Sequence, residues 1–423
     1  MSIAVLPPPP TLQPAELPRL LAPIPRAQGR RVTLLAVHHV RVDGRTFTGG
    51  AEKYIRTVIR ALLDAGAEVH VGYSGTTIYE DLLEQYDPRR LTVERTGWLN
   101  DALSGDRSLS LNLIRRRRRW LRATGADTVF AVQQAGGVAF AASLLAAKSL
   151  SLRVAASLRQ ESPVLPMPSK RLLLGFVPCP RLWLKRLIWR RRWPALCCDR
   201  LIYNSHRVAT AYQQRYGYPK RRARVIFNGE MPHRRDAANR SRFPRRIAAV
   251  GRVTEAKGAD LLFDAFTVVA RRYPASSLTY YGDGPLVPAL ADRVRTHGLA
   301  DRVTFAGYRS DRRSVFGKMD LCVQMSRRES MSNSVVEAMA RGIPSVVADV
   351  GGLPETVLDA QCGYVVPAGD ATACADAISK LLGNPRRYTR FAHAAWDRAR
   401  RHFDVRLLMR QTVETILGID DGG

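Results

Sequence analysis

Two glutamates, Glu329 and Glu337, stand eight positions apart and bracket the polar run Ser332-Asn333-Ser334, which reads as the start of a helix. A helix start exposes unpaired backbone N–H groups and the positive end of the helix dipole, so acids and anion-binding donors face one cavity. Ser334-x-x-Glu337 also fits a capping box, which would employ Glu337 only locally. That use leaves Glu329 unexplained. Upstream, the loop Gly251-Arg252-Val253-Thr254-Glu255-Ala256-Lys257-Gly258 carries two cations. Arginine grips phosphate oxygens with a planar fork and lysine acts as a point charge, so together they suit a diphosphate. Alone, such a pair is common on protein surfaces.

Two glycine turns lie between these clusters. Tyr280-Tyr-Gly282-Asp283-Gly284-Pro285 lacks the third glycine of a dinucleotide fingerprint, and the chain has no phosphate loop ending in Gly-Lys-Ser/Thr, so an ordinary tight turn is expected. Phe305-Ala306-Gly307-Tyr308 places the backbone of Tyr308 where it can hydrogen-bond the edge of a base; a simple turn is the plainer reading.

These residues need strands and helices to hold them. Val32–Val37 is a buried strand, Gly49-Gly50 a loop, and Ile55, Val58, Ile59 and Leu62 the apolar face of a helix closed by Gly66. Strands are expected again at 69–71, 128–132, 153–158, 200–203 and 225–228. The pattern restarts at 247–250, with a helix burying Leu261, Leu262, Ala265, Phe266 and Val269, then strands at 277–281, 303–305, 321–324 and 345–348. Alternation of strand and helix at this spacing predicts an α/β chain with two doubly wound, Rossmann-like parallel sheets. The expected organisation is a disordered Pro-rich leader over 1–29, a first domain over 30–229 and a linker over 230–244. A second domain over 245–386 follows, then one long helix from 387 that crosses back onto the first domain.

The clusters together resemble glycosyltransferase family 4, strongly over about 225–365 and more loosely over 30–225. The resemblance implies the GT-B fold, two Rossmann-like domains facing a cleft, and sugar transfer from a nucleoside-diphosphate sugar with retention. It gives Glu337 the ribose diol of the nucleotide and Glu329 the hydroxyls of the transferred sugar. Arg252 and Lys257 would neutralise the leaving diphosphate, Ser332, Asn333 and Ser334 would offer backbone N–H groups, and Gly49-Gly50-Ala51-Glu52 would let the first domain's backbone approach the diphosphate. Breaking the anomeric bond leaves negative charge on the diphosphate, where fixed cations and helix N–H groups act most strongly. The Asp-x-Asp metal motif of many other glycosyltransferases is absent from the chain, so no metal or cofactor is expected. The chain departs from the family where many members carry a histidine: Gln133-Gln134 follow one strand and Arg159-Gln160-Glu161 the next. His38 and His39 are alternative cleft residues.

Charge adds a location. Residues 1–240 hold 40 basic and 17 acidic side chains, residues 241–423 hold 26 and 20, so most of the net +29 sits in the first half. Two tracts there mix arginine with tryptophan, Arg115–Trp120 and Arg181–Trp193. Such segments can lie on an anionic membrane, with rings at headgroup depth. The longest apolar stretch, 138–147, falls short of the roughly 20 residues that span a bilayer. No basic run precedes an apolar core at the N-terminus, and the six cysteines show neither a disulfide framework nor zinc-site spacing. The expected protein is cytoplasmic, peripheral on the membrane's cytoplasmic face, with a glycan or lipid-linked acceptor. A non-transferring sugar-nucleotide enzyme, epimerase-like, is the competing enzymatic reading. A nucleic-acid binder is the other, and the absence of any recognisable nucleic-acid motif argues against it.

Overall fold

The computed structural model describes residues 19–37, 50–74, 79, 82–96, 111–133, 138–159, 197–233 and 244–419. Among these, a seven-stranded sheet runs in the order β3-β2-β1-β4-β5-β6-β7, built from β1 Arg31–Val37, β2 Glu68–Ser74, β3 Leu91–Arg95, β4 Thr128–Gln133, β5 Arg153–Leu158, β6 Arg200–Tyr203 and β7 Ala223–Val225. A six-stranded sheet runs β10-β9-β8-β11-β12-β13, from β8 Arg246–Val250, β9 Ser277–Tyr281, β10 Val303–Phe305, β11 Leu321–Gln324, β12 Ser345–Ala348 and β13 Gly363–Val366. Every registered pair in the second sheet is parallel. Contacts divide the chain into two compact units, 1–157 with 197–200 and 412–423, and 158–196 with 201–411.

The helix Ala259–Arg272 shows how the second core forms. Leu262, Phe263, Phe266, Val269 and Ala270 recur at helical spacing and are all buried. They pack on Ile247, Leu278, Leu321 and Val323 of the sheet, with Ile378 and Leu381 of the helix Ala371–Leu382 in the same cluster. Fully burying one such side chain contributes about 1.5–3 kcal/mol. Strand order reverses between β8 and β11, and at such a switch point the loops beyond the carboxyl ends diverge and open a crevice. Both Arg252 and Glu329 lie just beyond those two ends.

Three expectations change. Residues 19–29 of the expected leader are packed: Leu21, Ile24 and Ala27 are buried, and the N–H of Ile24 donates to the carbonyl of Ala65 at 3.0 Å. The expected long C-terminal helix is two helices, Pro385–His402 and Val405–Leu417. Asp404 pairs in extended form with Glu230, and its carboxylate accepts from the N–H of Arg406 at 2.9 Å, so the backbone cannot continue as a helix there. The strand expected at 225–228 ends at Val225. Residues 1–18 of the leader and 234–243 of the expected linker lie outside the described residues.

Candidate donor site

Glycine fit brings the two chemistry-bearing loops together. Gly258 ends a short 3-10 turn, Glu255–Lys257, at φ +66°, and a Cβ built on it would lie 1.8 Å from the carbonyl oxygen of Met325. Only a residue without Cβ lets the loop after β8 lie on the end of β11. Arg327 locks the contact, donating to both carboxylate oxygens of Asp260 at 2.8 and 2.6 Å and to the carbonyl of Glu255 at 2.7 Å. Burial pushes the Asp260 carboxyl up, but the Arg327 hydrogen bonds and charge outweigh it and hold it below the usual range.

Lys257 and Glu329 meet as a result. The lysine Nζ donates to Glu329 Oε2 at 2.6 Å, and the glutamate side chain is 9% exposed. Arg252 is exposed on the same loop, and its side chain has no ion pair or hydrogen bond among the described residues. A pocket is lined by Gly251, Arg252, Lys257, Gly258, Gln324 and Met325, among others. One cation is thus pre-set against an acid and the other is open to an incoming anion.

The second glycine turn supports the first loop. A Cβ on Gly282 would lie 2.0 Å from the carbonyl oxygen of Gly251, and one on Gly284 2.2 Å from that of Val253. Between them, Asp283 Oδ2 accepts from the N–H of Tyr308 at 3.0 Å. Tyr308 is at the expected strand end and is exposed, and its backbone donor is engaged by Asp283.

The helix Asn333–Met339 begins where expected, with Ser332 as its N-cap and no side-chain cap bond. The capping box is not formed. Ser334 lies inside the first turn and donates through Oγ to the carbonyl of Val250 at 2.9 Å, which ties the helix to the end of β8. Ser332 and Ser334 hydroxyls are 3.1 Å apart, and the side-chain Oδ1 of Asn333 accepts from the side-chain Nδ2 of Asn228. Glu337 is buried and bound by Arg312, whose Nε donates to Oε2 at 2.7 Å. Sequence reading missed Arg312. Its only signal was a cation soon after the Tyr308 turn.

The remaining residues divide as follows. Ser330, next to Glu329, donates to the carbonyl of Arg159 at 2.7 Å and accepts from the Asn204 amide at 3.1 Å. Gly50 opens the helix Gly50–Ala65 and is exposed. Gln133 ends β4. Gly49, His38, His39, Gln134, Gln160, Glu161 and the tract 181–193 lie outside the described residues. In the helix Leu111–Ala123, Arg115, Arg116, Arg118, Arg119 and Arg122 are exposed while Arg117 is buried.

Two parallel sheets, each doubly wound, with the polar clusters beyond the switch point of the second, define the GT-B class of fold. HepE of Anabaena, solved in complex with UDP, superposes with a TM-score of 0.71 over 92% of this chain and all of its own, at 20% identity. Sucrose-phosphate synthase of Thermosynechococcus elongatus superposes at 0.67 over 93% of this chain and all of its own, at 19% identity. The profile "Glycosyltransferase Family 4" matches residues 48–230 and "Glycosyl transferases group 1" residues 244–384. The chain belongs to glycosyltransferase family 4. Among curated relatives, the alpha-D-kanosaminyltransferase of Streptomyces kanamyceticus is 33% identical over 35% of this chain and 39% of its own length. The D-inositol 3-phosphate glycosyltransferase of Mycobacteroides abscessus is 36% identical over 36% and 35%. The chain thus spans less than half the length of the curated relatives it matches.

Proposed function

We propose that the protein is a retaining glycosyltransferase that moves a sugar from a nucleoside-diphosphate sugar to a glycan or lipid-linked acceptor without a divalent metal. The observation that carries this is the Lys257–Glu329 ion pair at 2.6 Å with Arg252 open beside it. In this reading the diphosphate enters between Arg252 and Lys257, and Lys257 turns from Glu329 toward it. Glu329 is then free to accept from the sugar's hydroxyls, while Glu337 accepts from the ribose diol. As the anomeric bond breaks, charge grows on the leaving diphosphate, where the cations and the N–H groups of Ser332, Asn333 and Ser334 are aimed. HepE, the solved GT-B neighbour, binds UDP, and a Mycolicibacterium smegmatis relative is described as GDP-mannose-dependent, which supports a nucleotide-sugar donor.

Product analysis tests it against the epimerase-like reading. The chain would be incubated with UDP-, GDP- and ADP-sugars and with glycan or lipid-linked acceptors. Transfer releases free nucleoside diphosphate and a glycosylated acceptor that keeps the donor's anomeric configuration. An epimerase returns an intact nucleotide sugar with a changed ring, and that result would replace the proposal. A nucleic-acid binder would instead bind random RNA and no nucleotide sugar.

For location, the reading is cytoplasmic and peripheral to an anionic membrane, supported by the exposed arginines of the helix Leu111–Ala123. No helix of the described residues is long and apolar enough to cross a membrane. Sedimentation with liposomes should rise with anionic lipid and fall with salt, and Gln at Arg115, Arg116, Arg118 and Arg119 should reduce it. Wild-type protein left in the supernatant at low salt rejects the membrane reading alone.

A further inference from the structure

Glu337 carries the ribose role in the reading above, yet its side chain is 4% exposed and a carboxylate so enclosed needs a charged partner to stay in place. Arg312 supplies it. Both Nε and Nη2 of this guanidinium fall on the same oxygen, Oε2. The last torsion of a glutamate side chain is broad and soft, so two donors on one oxygen fix a plane that would otherwise swing. The arginine is itself held. Its guanidinium lies 5.0 Å from the Phe316 ring centroid, a ring shared with Arg341 at 4.9 Å, and Arg341 Nη1 donates to the Glu337 carbonyl at 2.9 Å. Arg312 opens the helix Arg312–Gly317, which Asp311 caps by accepting from the N–H of Ser314 at 3.2 Å. Only three residues separate Arg312 from Tyr308, so one short segment carries both the turn whose backbone Asp283 holds and the residue that holds the acid.

We propose that Arg312 is a positioning residue for the ribose of the donor: by anchoring Glu337 at Oε2 it presents the carboxylate to the 2′,3′-diol and sets a preference for ribo- over 2′-deoxyribonucleotides. This rests on Glu337 being the ribose-binding acid. A diol donates two hydroxyls, and a carboxylate whose plane is fixed receives both, whereas one that swings gives up the second. Arg312 touches no part of the nucleotide in this scheme.

Calorimetry on the full chain with UDP, GDP and ADP, each beside its 2′-deoxy counterpart, tests it. Wild type should favour the ribo form of whichever base it binds by on the order of tenfold or more, the scale of one charge-assisted hydrogen bond. Arg312→Gln should cut that ratio to about threefold or less, and Arg312→Lys should restore part of it, since a point charge holds the oxygen without the planar fork. Arg313→Gln, an exposed neighbour, should keep the wild-type ratio. Thermal unfolding of each variant is measured alongside, and Arg312→Lys carries the test if Arg312→Gln does not fold. A wild-type ratio in the Arg312 variants, even with weaker overall binding, overturns the positioning role and leaves Glu337 as it was. Equal binding of ribo and deoxy forms by wild type removes the Glu337 reading and this inference with it.

Discussion

Lys257 Nζ lies 2.6 Å from Glu329 Oε2, although the two residues are 72 positions apart and belong to loops leaving different strands. A cation and an acid so placed serve each other until a ligand brings both a diphosphate for the one and hydroxyls for the other. The two ends of the proposed donor should therefore separate in kinetics.

Glu329→Ala is expected mainly to lower kcat, and Glu337→Ala mainly to raise the donor's Kd, because only Glu329 would touch the reacting sugar. Steady-state kinetics with direct donor binding reads the split. Wild-type values for both variants would remove the assignment.

Activity should survive EDTA, while Arg252→Ala and Lys257→Ala should each lower kcat/KM by on the order of a hundredfold, as for other lost contacts to developing charge. Loss of activity on chelation with recovery on adding magnesium would reverse the reading of the cations.

Gly258→Ala should damage both stability and donor binding. The left-handed φ of +66° costs an alanine about 1–2 kcal/mol, and the Cβ at 1.8 Å from the Met325 carbonyl must also move the loop that bears Lys257. Gly298→Ala is the control, with φ +64° and open space around its Cβ, so it should lose only the backbone part. Equal losses for the two variants, read by thermal unfolding and donor KM, would show that loop contact does not position Lys257.

Asp320 gives a pH-dependent prediction. Burial pushes its carboxyl up, but hydrogen bonds from Arg246 and from the N–H groups of Arg245 and Arg246, with the Arg246 charge, hold it below the usual range. A carboxyl lowered in the folded state stabilises above its unfolded value, near 3.9, and that contribution is lost as pH falls through the folded value. Asp320→Asn should therefore cost about 2 kcal/mol at pH 7 and less at pH 3, the loss reflecting charge-assisted hydrogen bonds. Denaturant unfolding at both pH values checks this; equal cost at both would show that the charge is not what counts.

How far the sequence revealed this molecule depends on where each signal was stored. Buried parallel strands such as Leu321–Gln324, apolar through Val323, were legible. The edge strand Leu91–Arg95 buries only Leu91, so its pattern carried little, and β13 starts on a glycine. The break at Asp404 comes from pairing with Glu230, which periodicity cannot express. In the site, motif spacing pointed to Arg252, Lys257, Glu329 and Glu337, and the structure pairs Lys257 with Glu329. The supports were hidden: Arg312 and Arg327 look like ordinary surface arginines until folding sets them against Glu337 and Asp260.

Binding of a nucleotide sugar beyond the switch point of the second sheet is read by thermal unfolding of wild type and Glu337→Ala beside a panel of UDP-, GDP- and ADP-sugars. Sugars of one base should stabilise wild type, by about 2.7 kcal/mol at a hundred times the dissociation constant, and should stabilise Glu337→Ala far less at the same concentration. A panel with no effect on wild type, or an equal effect on both proteins, would rule out a donor site held by Glu337 beyond that switch point.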